Sequence, residues 1–321
     1  MSKTALITGI SGQDGAYLSK LLLNYGYKIV GLVRSCDSDL KGLHYLGIAN
    51  EIKIEECNLS DFSQVIKIIE QYQPDEIYNL AAQSSVSLSF KQPIGTFSFN
   101  TLSVFNLLEA VKMVNGKIKL YQASSSEMFG SINHLPITED AEFHPKSPYA
   151  ISKAAAHWIC VNYKESYGMF VCCGILFNHE SYLRNKNFFM KKVMRDAIEI
   201  KYGHRELLEV GNLEIKRDFG FAPKYVEAMY LMMQKEKPAN YLISSGHSVS
   251  LRFITETIFK KLGIDKSKIR ISKELYRPAD IMDIYGNPDK AKKELHWEYN
   301  MSIEDLIDSL LKEEIENFKR K

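Results

Sequence analysis

Little in this sequence points outward. Lysine and arginine together number 41 and aspartate and glutamate 39, leaving a net charge of +2. That balance gives no case for nucleic acid or an anionic membrane as partner. The five cysteines, at positions 36, 57, 160, 172 and 173, are odd in number and form no CxxC pair. They suit a reducing compartment better than a disulfide framework, and no metal site is expected. No cationic-then-apolar leader precedes the first apolar run, and no run approaches a membrane span. The expectation is a cytoplasmic chain with no membrane partner. Internal repeats and low-complexity linkers are missing too. At 321 residues and 45% hydrophobic, the chain suits one large domain or two interleaved ones.

What is present is order. A short apolar run, Lys3 to Thr8, leads into GISGQDG and then a helical pattern through Tyr17, Leu18, Leu21 and Leu22. Strand, glycine turn, helix is the context in which Gly9, Gly12 and Gly15 read as a dinucleotide fingerprint. There the glycines let backbone approach a pyrophosphate at a helix N-terminus. An ordinary tight turn is the plainer alternative. A second strand is expected over Lys28 to Val33. An NAD-binding chain usually carries an acid at its end; here Arg34 and Ser35 stand instead. An arginine there suits the 2′-phosphate of NADP, although Asp37 and Asp39 follow closely and keep NAD open. A third strand, Ile52 to Cys57, is followed by Asn58 and Leu59, placed to flank an adenine. Ser60 then reads as the cap of a helix carrying Phe62, Val65, Ile66 and Ile69. A fourth strand runs from Glu76 into Ala81 and Ala82, whose small side chains would let a cofactor pass. A fifth, Lys117 to Ala123, ends in Ser124, Ser125, Ser126 and Glu127. Ligands of open parallel sheets bind at the carboxyl ends of strands, so these hydroxyls and this carboxylate are placed for chemistry; each serine also suits a turn or cap.

The next helix opens with YAISK. Tyr149 and Lys153, four apart, share a helix face. A cation beside a phenol favours the phenolate, and a phenol so poised can take a proton from a sugar hydroxyl. Alone, the spacing is also that of a surface pair. A sixth strand, Met169 to Phe177, completes a strand–helix alternation that predicts a doubly wound, parallel, Rossmann-type α/β sheet. Residues 1–178 would form the cofactor-binding domain. Residues 179–321 would be mainly a smaller, interleaved substrate-binding lid, with segments near 217–245 returning to the sheet. Lys216, Arg217 and Arg277 together could clamp an anionic substrate. Ser302 is expected to cap the last helix.

The strings ALITGISGQDGAYL, YQASSSEMFG (121–130), SPYAISK (147–153), GILFNHES (174–181), GNLEIKRDFG (211–220) with YVEAM (225–229), and RPAD (277–280) span nearly the whole chain. Together they resemble the extended short-chain dehydrogenase/reductase superfamily and, within it, the GDP-mannose 4,6-dehydratases. The resemblance implies a lyase that converts a GDP-hexose to its 4-keto-6-deoxy sugar and recycles a tightly bound nicotinamide cofactor. Tyr149, helped by Lys153, would act on the 4-hydroxyl, and Glu127 would remove the proton on carbon 5. Ser125 stands for the family's threonine, and Ser126 matches it. The cofactor would meet Gly9, Gly12, Gln13, Asp14, Gly15, Arg34, Asn58, Leu59, Leu80, Ala81, Ala82, Tyr149, Lys153 and His179. The GDP-sugar would meet Ser84, Ser125, Asn178, Asn187, Lys192, Arg217, Arg277 and Asp280. A homo-oligomer, dimer or tetramer, is implied as well.

The chain also departs from that pattern. After Arg34, SCDSDLKGLHYLG lacks the family's second arginine and serine-rich stretch. Asn58 stands for an aspartate, Asp280 for a glutamate, and YLRNK (182–186) for PRRG beside the sugar. A GDP-linked heptose is therefore chemically reasonable beside GDP-mannose. An epimerase or reductase of the same fold, or an NADP-binding protein without catalysis, are the other readings. Glu127 speaks against the first and Ser125, Tyr149 and Lys153 against the second.

Overall fold

The computed structural model describes every residue except Met1, Cys36, Asn133 and Lys321. The first part of the chain alternates β1 (Thr4–Thr8), α1 (Gln13–Asn24), β2 (Lys28–Val33), α2 (Lys41–Tyr45), β3 (Ile52–Glu56), α3 (Phe62–Tyr72), β4 (Glu76–Asn79), α4 (Val86–Lys91), α5 (Pro93–Asn115), β5 (Lys119–Ser125), α6 (Pro148–Tyr167) and β6 (Val171–Leu176). The remainder comprises β7 (Asn178–Glu180), α7 (Phe189–Lys201), β8 (Leu208–Val210), β9 (Lys216–Arg217), β10 (Phe219–Phe221), α8 (Ala222–Met233), β11 (Tyr241–Ile243), β12 (Val249–Ser250), α9 (Leu251–Leu262), β13 (Ile269–Ile271), α10 (Asp289–Leu295) and α11 (Ile303–Lys319).

Seven strands form one sheet in the order β11-β6-β5-β4-β1-β2-β3, and every neighbouring pair is parallel. Buried on both faces, its strands read as apolar runs. One face packs on α1, α8 and α10, the other on α3, α5 and α6. The winding reverses between β1 and β4, so the crevice opens at their carboxyl ends, where the glycine turn and the Leu80–Ala82 segment lie.

The other lobe is three two-stranded sheets, β10-β7, β12-β9 and β13-β8, around an apolar cluster from α7, α9 and α11. It is threaded through the first lobe. After β10 the chain returns as α8 against α1, and β11 extends the main sheet by pairing with β6.

Local chemistry sets the boundaries. Ser147, Ser250 and Ser302 cap α6, α9 and α11 by accepting from backbone N–H groups of the first turn. The cap of α3 is Asp61 and not Ser60: its carboxylate accepts from the Ser63 and Gln64 amides, and a carboxylate at that end also meets the positive pole of the helix. Strand β5 reaches Ser125, beyond the expected end at Ala123, because its pairing with β6 continues to Ser125 opposite Leu176.

Candidate active site

The glycine turn is packed tightly. Gly9 has φ +69°, and a Cβ there would fall 2.9 Å from the Ala81 nitrogen. A Cβ on Gly15 would fall 2.4 Å from the Gly9 carbonyl oxygen. These two positions bring the start of α1 against the end of β4. Gly12 is the N-cap of α1 and provides no side-chain cap, so no side chain of its own covers the first-turn N–H groups. That suits a pyrophosphate. Leu80 and Ala81 are fixed by their amides, which both donate to Thr8 Oγ1 at 3.1 Å.

Gln13 and Asp14, half-buried, form one knot with the buried His179. His179 Nε2 lies 2.9 Å from Asp14 Oδ2, Gln13 Nε2 donates to Asp14 and to the His179 carbonyl, and Ser181 Oγ donates to Gln13 Oε1. Burial raises the Asp14 carboxyl, but His179 and Gln13 outweigh it and hold it below its ordinary value. His179 also stacks on Tyr225 at 4.7 Å. The knot pins the first turn of α1 to β7, where the chain crosses between lobes.

At the end of β5, Ser125 Oγ accepts from the Glu127 amide at 3.3 Å, and the same hydroxyl acts on the Tyr149 phenol in the lowering direction. Tyr149 and Ser126 are buried and Glu127 is half-buried. Lys153 Nζ donates to the Ala123 carbonyl at 2.8 Å, and burial brings the ammonium down to about 8. The expectation that a neighbouring cation lowers the phenol is corrected here. Burial drives Tyr149 up to about 12, against the pull of Ser125, with Glu127 pushing the same way as burial. Desolvation of a phenolate outweighs the neighbouring charges when the lysine head is turned to a backbone carbonyl.

Across the cleft, the second lobe brings three of the expected residues together. Arg217 Nη2 lies 4.0 Å and Arg277 Nη1 3.7 Å from Asp280 Oδ1. Arg217 is buried, and its Nη1 donates to the carbonyls of Lys216 and Ile281. Burial lowers its pKa, while Glu127 is close enough to act in the opposite direction. Glu127 thus acts electrostatically on both the phenol and the guanidinium. Asn178 opens β7 opposite Phe219 of β10.

Other expected residues are more loosely placed. Arg34 is exposed at the end of β2, and Ser84 and Asn187 are exposed. Lys192 Nζ donates to the Glu209 carbonyl. Asn58 Oδ1 accepts from the Ser60 amide, and the Leu59 carbonyl accepts from Asn106. Of the segment after Arg34, Cys36 lies outside the described residues. The structure adds one residue that sequence reasoning missed. Arg184 Nε is 3.3 Å from Glu180, its guanidinium lies 3.6 Å above the Phe188 ring, and it acts on both Tyr149 and Asp14 in the lowering direction. Its only signal was its place in the loop YLRNK, beside Lys186.

With this geometry in view, comparisons with known proteins are specific. The family described as "GDP-mannose 4,6 dehydratase" matches residues 6–310. GDP-mannose 4,6 dehydratase 1 of Arabidopsis thaliana is 42% identical over 330 residues, 99% of this chain and 91% of that protein. The GDP-mannose 4,6 dehydratase of Dictyostelium discoideum is 37% identical over 345 residues, 99% of this chain and 97% of that protein. Solved structures share the fold at lower identity. A dTDP-glucose 4,6-dehydratase from Streptomyces venezuelae, with NAD bound, is 20% identical with a TM-score of 0.89, covering 99% of this chain and 98% of that one. The protein RMD from Pseudomonas aeruginosa, complexed with NADPH, is 22% identical with a TM-score of 0.83, covering 98% and 100%.

Proposed function

The chain belongs to the GDP-mannose 4,6-dehydratase family, and on that premise we propose how its residues divide the reaction. The activity is that of a hydro-lyase: nucleotide-sugar 4,6-dehydration, with GDP-mannose the main substrate. Tyr149 takes the proton of the sugar 4-hydroxyl, with the Ser125 hydroxyl acting on the phenol in the lowering direction. Lys153, four residues on in the same helix, would hold positive charge on the Ala123 carbonyl. The ketone at carbon 4 acidifies the proton on carbon 5, which Glu127 removes. The carbon 6 hydroxyl then leaves as water, taking up a proton for which Glu127, newly protonated, is the donor at hand. A nicotinamide, when bound, would supply the hydride exchange between carbon 4 and carbon 6; the proton taken up by Tyr149 is then available to carbon 5, so the reaction would have no net redox change. Its positive ring also has the sign that lowers a buried phenol. Gly9, Gly12, Gly15, Gln13 and Asp14 would hold its pyrophosphate end. Arg34 and the missing strand-end acid favour NADP over NAD. Arg217 and Arg277, with Asp280 and Asn178, would hold the GDP diphosphate, and forked guanidinium groups suit phosphates. In these terms residues 1–178 with the segments near 217–245 serve the cofactor, and 179–321 mainly serve the substrate.

The observation that carries the reading is Glu127, held at the end of β5 by its amide on Ser125 Oγ and acting on both Tyr149 and Arg217. Binding of the nucleotide half at the guanidinium would bring the reacting sugar to the carboxylate. The test is incubation with GDP-mannose, a GDP-heptose, UDP-glucose and dTDP-glucose, reading loss of one water by mass. Dehydration of a UDP or dTDP sugar in preference to GDP-mannose would overturn it.

We further propose a homodimer through the outer face of α5 and α6. What supports it is the exposure of Ile94 (81%), Phe97, Phe105, Ile151 and Trp158 around a groove of about 370 Å³ lined by Pro93, Ile94, Phe97 and Ile151. Ile94→Asp with Ile151→Asp should yield monomers in analytical ultracentrifugation. A dimer that survives both would place the interface elsewhere. A reducing, cytoplasmic compartment fits the four described cysteines, all free and buried. No described helix is long and apolar enough to cross a membrane.

A further inference from the structure

One row of the main sheet is polar where its neighbours are not. Thr8, Asn79 and Gln122 are direct partners across β1, β4 and β5. They lie on the face whose preceding residues, Leu6, Ile77 and Leu120, belong to the apolar core beneath α3, α5 and α6. All three are buried, none above 2% exposed. Polar side chains there stabilise only if satisfied, and these are. Thr8 Oγ1 accepts from the Leu80 and Ala81 amides and therefore must donate to Asn79 Oδ1, at 2.6 Å. That fixes the Asn79 amide, whose Nδ2 donates to Gln122 Oε1 at 2.7 Å. Gln122 is fixed in turn, and its Nε2 donates to the Ala123 carbonyl at 3.0 Å. The orientation of both amides follows from the chain of donors and not from a choice of rotamer.

The Ala123 carbonyl is also the acceptor of Lys153 Nζ, so two donors share its two lone pairs. We propose that Gln122 is a positioning residue for Lys153, and that the buried row Thr8–Asn79–Gln122 ties the place of that ammonium group to the glycine turn of the cofactor site. The inference rests on the role given above to Tyr149 and Lys153. Its physical content is competition. While Gln122 draws on the carbonyl, the ammonium receives less of it; without Gln122 the ammonium has the acceptor to itself but loses the brace that aims it. The other ionisable groups acting on Lys153 are Asp14 from α1, Cys160 from its own helix and Cys173 from β6. All three favour the charged form, and burial alone opposes it.

The test uses Gln122→Met, of similar size without the amide, and Gln122→Glu, which keeps the shape and donates to the carbonyl only when protonated. Nitrogen NMR of the lysine-labelled protein follows Lys153 without substrate. The midpoint, near 8 in the native chain, should rise by about half to one pH unit in Gln122→Met. In turnover of GDP-mannose, kcat should fall roughly 10- to 100-fold with KM unchanged, and the alkaline limb should move with the NMR midpoint. Gln122→Glu should recover kcat on the acid side and lose it as its carboxyl ionises. An unmoved Lys153 midpoint overturns the proposal, as does a parallel loss of kcat and KM that tracks melting temperature. Should Gln122→Met not fold, the acid-side recovery of Gln122→Glu decides. A native enzyme that leaves GDP-mannose intact would instead defeat the functional reading, and the NMR midpoint would still judge the row.

Discussion

The two walls of the cleft are built on different principles. The wall carrying Ser125, Tyr149 and Lys153 is one strand and the helix after it, buried and joined by hydrogen bonds of 2.8 and 3.0 Å, from Lys153 to the Ala123 carbonyl and between Ser124 and His157. The wall carrying Arg217, Arg277 and Asp280 is assembled from distant segments and joined by ion pairs of 3.7 and 4.0 Å, with the Arg277 side chain 40% exposed. Burial and short bonds fix atoms where a proton must move. Loosely paired cations can exchange an internal carboxylate for a ligand's phosphates without repacking a core. On the proposed assignment the difference would separate rate from binding, and it can be attacked from either side.

The largest effect should come from the rigid wall. Tyr149→Phe should cost hydride transfer at least ~10²-fold while leaving KM near its native value; single-turnover formation of reduced cofactor measures it, and near-native turnover would reject the assignment. Glu127→Gln should oxidise carbon 4 and then stall, also by roughly 10². Reduced cofactor, seen by its absorbance, should accumulate, and normal dehydration would remove Glu127 from its role. The second wall should give a smaller effect of another kind. Arg277→Ala should raise KM by about 1.5–3 kcal/mol without changing kcat. Arg217→Ala should raise KM similarly and lower kcat as well, since Glu127 senses its charge. Equal kcat for the two variants would erase the proposed link between the walls.

Two weaker perturbations sharpen the boundary. Asp14, held below its ordinary value beside His179, stabilises the fold above about pH 4, and that contribution disappears as pH falls through its lower folded value. Asp14→Asn should therefore flatten the acid end of a melting-temperature profile; an unchanged slope would mean the knot is not electrostatic. The smallest effect should be that of Arg34→Ala: weaker NADP by about 1 kcal/mol, as for an exposed ion pair, and unchanged NAD, by titration of each cofactor.

The same contrast explains how much was legible. The doubly wound sheet, the glycine turn and the sets Ser125–Glu127 and Tyr149–Lys153 are local, each a few residues placed at a strand end or on one helix face. Period and spacing suffice to find them. Arg217 and Arg277 each look like a surface cation until the fold brings them to one carboxylate, so in the sequence only their company and the resemblance singled them out. Lys153's acceptor, the Asp61 cap and the guanidinium of Arg184 were hidden for another reason: each depends on where a backbone or a side chain turns after the strand ends. The rise of the Tyr149 phenol was misjudged because charge is visible in a sequence and desolvation is not.

The return of the chain to the sheet has a consequence for how such a protein can be divided. A fragment ending after β6 would lack α8, which covers α1, and β11, which pairs with the outer edge of β6. It would also lack the Trp297 indole that donates to the Lys224 carbonyl behind α8. Such a fragment would bare an apolar helix face and an unpaired strand, the ingredients of aggregation. The first part of the chain is therefore not a portable module: exchanging it for another would cut through the packing that covers α1 and β6.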